Sequence, residues 1–152
     1  MNYWIFKSEP TVFGIDHLAL CPHQTTSWDG VRNFQARNML RDDVRAGDIA
    51  FFYHSNAKPP GIVGMMTVTH GGHPDLTALD KQSRYYDARA TKDHPLWYCV
   101  DVKFRERFPK LITLSALKAN DALRKLWILR PGNRLSITPL TKAEGEVILC
   151  LR

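Results

Sequence analysis

The chain holds only three cysteines in 152 residues, Cys21, Cys99 and Cys150, odd in number and far apart. That excludes a disulfide scaffold and offers no pair at metal-ligand spacing, so the expectation is a reduced, cytoplasmic protein. No run of eighteen or more apolar residues occurs, and no helical membrane span is expected. The first residues, Met1-Asn2-Tyr3-Trp4-Ile5-Phe6-Lys7, lack a basic leader and a small-residue cleavage site. They read as an opening strand rather than a signal peptide. Catalytic signatures are missing as well: there is no G-x-S-x-G elbow, P-loop, G-x-G-x-x-G or H-E-x-x-H. Acidic residues are in deficit, 15 Asp and Glu against 21 Lys and Arg, for a net charge of +6. Such an excess favours polyanionic partners, nucleic acid foremost, although many proteins are mildly basic for solubility alone. Cys21-x-His23 and His70-Gly71-Gly72-His73 are weak ligand pairs and read as turn residues. No metal and no cofactor is expected.

What is present is an ordinary globular composition, 44% apolar and 24% charged, with no repeat, linker or low-complexity stretch. One domain over residues 1–152 follows, large enough to bury a core. Tyr3–Phe6 reads as a short strand broken by Ser8-Glu9-Pro10. Val12–Leu20 has helical spacing, and Cys21–Thr26 reads as a loop. Asn33 suits the N-cap of a helix whose inner face carries Phe34, Met39 and Leu40. Ile49–Tyr53 is continuously apolar, as a central strand covered on both sides would be. Ile62–Thr69 reads as the next strand, with Gly64 at a bulge or close approach. Gly71–Thr91 reads as a long irregular loop with one helical turn near Thr77–Leu79, and loops of that length are often functional. Trp97–Phe108 alternates, with Tyr98, Val100, Val102, Phe104 and Phe108 inward and Asp101, Lys103, Arg105 and Arg107 outward. Short helices follow at Thr113 and Asp121, then a Pro131-Gly132-Asn133 turn, a strand Arg134–Thr138 and a helix Lys142–Leu149. Gly145 inside that last helix costs roughly 1 kcal/mol relative to Ala. The sum is an α+β domain whose sheet curls into a small barrel.

Three constellations carry chemistry. Trp28-Asp29-Gly30-Val31-Arg32-Asn33-Phe34-Gln35-Ala36-Arg37-Asn38 places carboxamides and guanidinium groups beside an indole. That set suits a planar heterocycle near phosphate. Trp28 lies outside any apolar stripe, and two readings stay open: a stacking wall, or burial under the Cys21–Thr26 loop. Lys7-Ser8-Glu9-Pro10 leaves a strand with polar groups at its tip, for a ligand or as a plain exit. Phe52-Tyr53-His54-Ser55-Asn56 carries aromatics into a polar tip, where Tyr53 and Asn56 are ligand candidates. His54 and Ser55 are adjacent and point apart on a strand, so they cannot pair as base and nucleophile. Glu9, Asp29 and Asp48 have no spacing for metal-assisted hydrolysis. Arg134-Leu135-Ser136 meets either phosphate or an acidic neighbour.

These ordered motifs, together with Gly47-Asp48 and Ile62-Val63-Gly64, resemble the EVE domain over essentially the whole chain. The resemblance implies a PUA-like mixed β pseudo-barrel with peripheral helices, in the superfamily of the YTH readers of methylated adenosine. It implies a non-catalytic module that takes a modified base, a modified cytosine, of DNA or RNA into an aromatic pocket. Lys7 and Ser8 resemble the Lys-Ser pair at the lip of the YTH pocket, and Trp28 resembles a cage wall. Asn33, Tyr53, His54, Ser55 and Asn56 match the EVE signature. Tyr85, Tyr86 and Trp97 are candidates for the second wall. Arg32, Arg37 and Arg134 are then expected to meet phosphate. Related ASCH domains carry G-x-K-x-x-E-x-R and some cut RNA; that motif is absent here. The alternatives are an RNA- or nucleotide-processing enzyme using His54, Ser55 or Glu9, and a protein-interaction module.

Overall fold

Tyr3–Ser8 (β1) is aromatic and β-branched, and it pairs in parallel with the continuously apolar Ile49–His54 (β3), from Tyr3↔Ile49 to Ser8↔His54. The computed structural model describes residues 1–152. Gly61–Pro74 (β4) runs antiparallel to β3, and Tyr98–Thr113 (β5) runs antiparallel to β4. Thr25–Ser27 (β2) and Ile137–Leu140 (β6) complete a six-stranded mixed sheet in the order β2-β5-β4-β3-β1-β6. The expected barrel does not close by hydrogen bonds: β2 and β6 are the two edges. Both are short, and β6 carries Pro139, which removes a ladder donor.

Period-2 alternation on the inner strands feeds two separate cores. Trp4, Phe6, Ala50, Phe52, Met66 and Val100 face one, and Tyr3, Ile5, Phe51, Ile62 and Met65 the other. The first is covered by Ile15–Leu20 (α2) and Phe34–Asp42 (α3). The second is covered by Leu114–Ala119 (α4) and Lys142–Leu151 (α5). Central placement of β3 is as expected from its composition. Asn33 does cap α3, accepting from Ala36 N at 3.0 Å, and Thr113 caps α4 in the same way. Asp48 is buried and accepts from Asn2 N, Trp4 Nε1 and Arg45 N at 2.9 Å each, tying the start of the chain to the β3 turn.

Several boundaries differ from expectation. Gly14 divides the first helix into Pro10–Phe13 (α1) and α2, because its extended backbone interrupts the ladder. The Cys21–Thr26 loop contains a 3-10 turn and most of β2. β4 continues to Pro74, so His70 and His73 lie on a strand rather than in a turn. The last strand is Ile137–Leu140, not Arg134–Thr138, because Asn133 Oδ1 accepts from Leu135 N and holds that segment in a turn. Phe34 is 46% exposed instead of facing the core; it stacks on Trp97 at 4.7 Å.

Gly145 explains itself by packing. A Cβ there would run into the ring of Tyr3, itself buried and stacked on Phe51 at 6.0 Å. Gly145→Ala would gain about 1 kcal/mol of helix propensity and lose about 1–3 kcal/mol to overpacking. Net destabilisation on the order of 1 kcal/mol is expected by urea unfolding; a more stable variant would show that the close approach is soft.

Candidate functional site

β1 ends on Lys7 and Ser8, and the next residues turn into α1 at Pro10. Opposite this tip the chain leaves β2 with Trp28 N donating to Val100 O at 2.8 Å. Between the two segments opens a cavity of about 620 Å³, lined among others by Lys7, Ser8, Phe13, Trp28, Asp29, Arg84 and Tyr85. This volume falls within the roughly 300–1,000 Å³ of small-molecule sites. Trp28 is both core and lining. It is 6% exposed, with its ring 5.2 Å from Phe52 and 5.3 Å from Phe6 in tilted or edge contact. Its indole N–H makes no bond within the chain, yet Thr138 Oγ1 is the one buried side-chain polar atom without a partner. The indole N–H therefore reaches solvent, and the cavity is the opening beside it.

The facing wall is Tyr85, held by a polar network beneath it. Gly30 has φ +78 and a Cβ there would lie 2.6 Å from the Tyr85 ring, so only glycine admits this approach. Arg32 donates to Tyr85 O through Nε at 3.2 Å and Nη2 at 2.7 Å, to Val31 O, to Thr77 Oγ1, and to Asp75 Oδ2 at 2.9 Å. All five guanidinium N–H groups are engaged within the chain. Tyr85 lies between two cations, Arg32 at 5.6 Å and Arg84 at 5.3 Å. Buried Asp75 also accepts from Gly30 N at 2.9 Å and Thr77 N at 3.0 Å. Burial works against its charge, but the bonds from Thr77, Gly30 and Arg32 prevail and hold its carboxyl below the usual range.

Of the charged residues lining the cavity, Lys7, Glu9, Asp29 and Arg84 belong to no ion pair, and Arg32 pairs with Asp75. The half-buried Lys7 ammonium has a pKa lowered by desolvation, and its nearest aromatic is the Tyr53 ring at 6.0 Å. The Asp29 carboxyl is pushed up, first by desolvation and then by the neighbouring charge of Asp75. A carboxylate, a hydroxyl and an indole thus line one aromatic-walled space, with Lys7 at its edge.

The EVE-domain model matches residues 2–151. The chain belongs to the EVE-domain family. Human thymocyte nuclear protein 1 is 40% identical over 166 residues, covering 99% of this chain and 73% of the human protein. A crystal structure of human THYN1 in complex with 5-methylcytosine-containing DNA has a TM-score of 0.92 at 40% identity, covering 99% of this chain and 97% of that one. A hypothetical protein from Leishmania major has a TM-score of 0.93 at 44% identity, covering 99% of this chain and 94% of that one. Several relatives bear the name nuclear protein, which overturns the cytoplasmic placement expected from cysteine usage. The three thiols are free.

The EVE domain places the residues anticipated from sequence in three groups. Lys7, Ser8 and Trp28 line the cavity, and of the candidate second walls Tyr85 does, whereas Trp97 is buried beneath Phe34 and Tyr86 is absent from the lining. His54, Ser55 and Asn56 brace the cavity from outside. His54 Nε2 accepts from Ile15 N at 3.2 Å, Ser55 N donates to Ser8 O at 3.0 Å, and Asn56 Nδ2 donates to Glu9 Oε1 at 2.7 Å. Tyr53 points to the second core, where burial raises its pKa. Asn33 is committed to its cap, and with Arg134 it borders a separate shallow depression. Arg32, expected at phosphate, is instead an internal anchor with every guanidinium N–H engaged, whereas Arg37 Nη1 donates to Leu96 O at 2.6 Å and its guanidinium covers Phe34 at 4.9 Å. Sequence reasoning missed Asp75 and Arg84, whose only signal was their place in a long polar segment.

Asp75→Ala would strand Arg32 and release Gly30; a loss of about 3–5 kcal/mol is expected on chemical unfolding. A loss below about 1 kcal/mol would remove Asp75 as the anchor. A second expectation concerns pH. Burial, assisted by the charges of Arg107 and His17 against that of Asp16, lowers the His54 pKa. Between that value and the unfolded value near 6.5, the unfolded chain binds more protons. The contribution is therefore complete above about pH 6.5 and is lost as pH falls through the folded value. Thermal unfolding from pH 7 to 5 should destabilise the wild type more than His54→Gln; equal slopes would refute the assignment.

Proposed function

We propose that this EVE domain is a non-catalytic nucleic-acid-binding module that takes one modified cytosine, out of a DNA or RNA strand, into the cavity between Trp28 and Tyr85. The observation that supports the reading is the cavity itself, with the Trp28 indole and the Tyr85 ring in its lining beside Ser8, Asp29 and Arg84. Human THYN1, solved with 5-methylcytosine-containing DNA, lends it independent support. In this reading the open sheet is a parted form of the PUA-like pseudo-barrel, with β2 and β6 at the seam.

Cytosine presents an exocyclic amine that donates and ring atoms that accept. Asp29 suits the amine, and the Trp28 indole N–H suits an acceptor. Uracil and thymine carry a carbonyl where cytosine has the amine, so Asp29 would face an acceptor. Extrusion of the base costs a few kcal/mol from a duplex and less from a single strand. Stacking returns about 1–3 kcal/mol per base. The residues of the enzymatic alternative do not converge: Glu9 bonds Asn56, and His54 accepts a backbone amide.

The test is fluorescence anisotropy with short DNA and RNA strands carrying cytosine, 5-methylcytosine, thymine or uracil, and methylated adenine. A preference of about fourfold for 5-methylcytosine over cytosine is expected, the 0.8 kcal/mol of one buried methyl. Trp28→Phe should weaken that strand tenfold or more, and Asp29→Asn should erode the preference over thymine or uracil. Equal binding of every strand by every variant would leave charge attraction alone and refute the proposal.

A further inference from the structure

We propose that His70, His73 and Asp101 form a binding site for one divalent transition-metal ion, zinc by preference, on the β4–β5 strand pair behind the rim of the cavity. One ligand atom from each of the three lies within 4.8 Å of the others. His73 Nε2 is 2.9 Å from Asp101 Oδ1, and the two imidazole rings stand nearly perpendicular at 4.9 Å. Ligands bonded to zinc at about 2.0–2.1 Å in a tetrahedron lie about 3.3 Å apart. Binding would draw the three ligand atoms together to that spacing.

The strand geometry is specific. His70 and His73 are three residues apart and would point to opposite faces of a regular strand. The β4–β5 register shifts between Val68 and His70 and again between His70 and His73, so that His70 pairs with Asp101 and His73 with Cys99. An extra residue on β4 at each shift brings both imidazoles to the Asp101 side. Gly72 permits this path: a Cβ there would lie 2.6 Å from Leu40 O and 2.7 Å from Arg41 O, at the end of α3.

Neighbouring groups orient the three ligands. His70 Nδ1 lies 2.9 Å from Gly71 O, a contact that places its proton on Nδ1 and leaves the Nε2 lone pair free. Ser27 Oγ donates to Asp101 Oδ1 at 2.7 Å and steadies the carboxylate. Metal at His73 Nε2 requires the proton on Nδ1, which has Cys99 Sγ at 3.7 Å as a weak acceptor. Water completes the coordination. Imidazole with carboxylate suits zinc and its first-row neighbours rather than magnesium or calcium. Ser27 also lines the cavity, so the ion would stiffen the rim from behind.

The test is titration of tag-free protein with zinc(II) against a chromophoric chelator, with cobalt(II) absorption as a spectroscopic check. One equivalent is expected, with visible d–d bands from cobalt and a rise in Tm on zinc addition. His70→Ala, His73→Ala and Asp101→Asn should each lower affinity tenfold or more and abolish the Tm rise, while His94→Ala, on an exposed loop, should change neither. Circular dichroism controls for folding, and exposed His70→Ala carries the test if His73→Ala does not fold. No zinc bound, or equal binding by all variants, overturns the site. The readout uses no oligonucleotide and stands apart from the nucleic-acid proposal.

Discussion

The buried carboxylate of Asp75 is the constraint on which the cavity depends. It accepts from Gly30 N, Arg32 Nη1, Thr77 N and Thr77 Oγ1, the last at 2.5 Å. Those donors come from two segments far apart in sequence, the turn after Trp28 and the 3-10 turn Leu76–Leu79. No strand pairing joins them. One charged acceptor, desolvated and saturated, does what a ladder does elsewhere. Through Arg32 it fixes the Tyr85 carbonyl, and through Gly30 it fixes the floor against which the Tyr85 ring lies. The network tolerates burial because every lone pair it brings inside finds a donor.

The polar residues around the cavity divide by whether they keep a free valence. Arg32, Arg37, Asn33, Asn56 and His54 all read as recognition groups in the sequence. In the fold each is engaged with the chain itself, with a carbonyl, a helix N-terminus or a carboxylate. Lys7, Ser8, Asp29, Arg84 and the Trp28 indole N–H are what remain. That division follows from desolvation: half-buried donors without a ligand are costly unless satisfied, so most are paired. The few left unpaired mark where a partner is expected.

Periodicity carried the fold. The apolar run of β3 and the capping residues Asn33 and Thr113 were legible because each depends on neighbours within one turn or one pleat; the alternation of β5 held for Val100 and Val102, but a register shift turns Phe108 to the second core. The strand-to-turn assignments failed where tertiary contacts decide. The extension of β4 through Gly71 and Gly72 rests on the close approach to α3, which no local window contains. Barrel closure failed for a similar reason, since short edges such as β2 and β6 carry no signal of whether they meet. In the site, motif matching found the β1 tip and Trp28. It could not tell a guanidinium that reaches solvent from one whose five N–H groups lie among carbonyls. Asp75 was invisible, because a buried structural carboxylate and a loop carboxylate look alike in sequence.

The rigidity of the walls decides where discrimination can arise. Trp28 is packed against three phenylalanines and Tyr85 is held by Arg32, so a bound base finds its surroundings already in place and little ordering cost falls on the protein. A methyl added to the base can then contribute only its own transfer energy, about 0.8 kcal/mol. A mismatched exocyclic group leaves a buried acceptor facing an acceptor, a penalty of about 1–3 kcal/mol. The second effect is the larger. A cavity of this construction therefore selects the base identity more sharply than its methylation, and any stronger response to the methyl must come from contacts made by the strand outside the cavity.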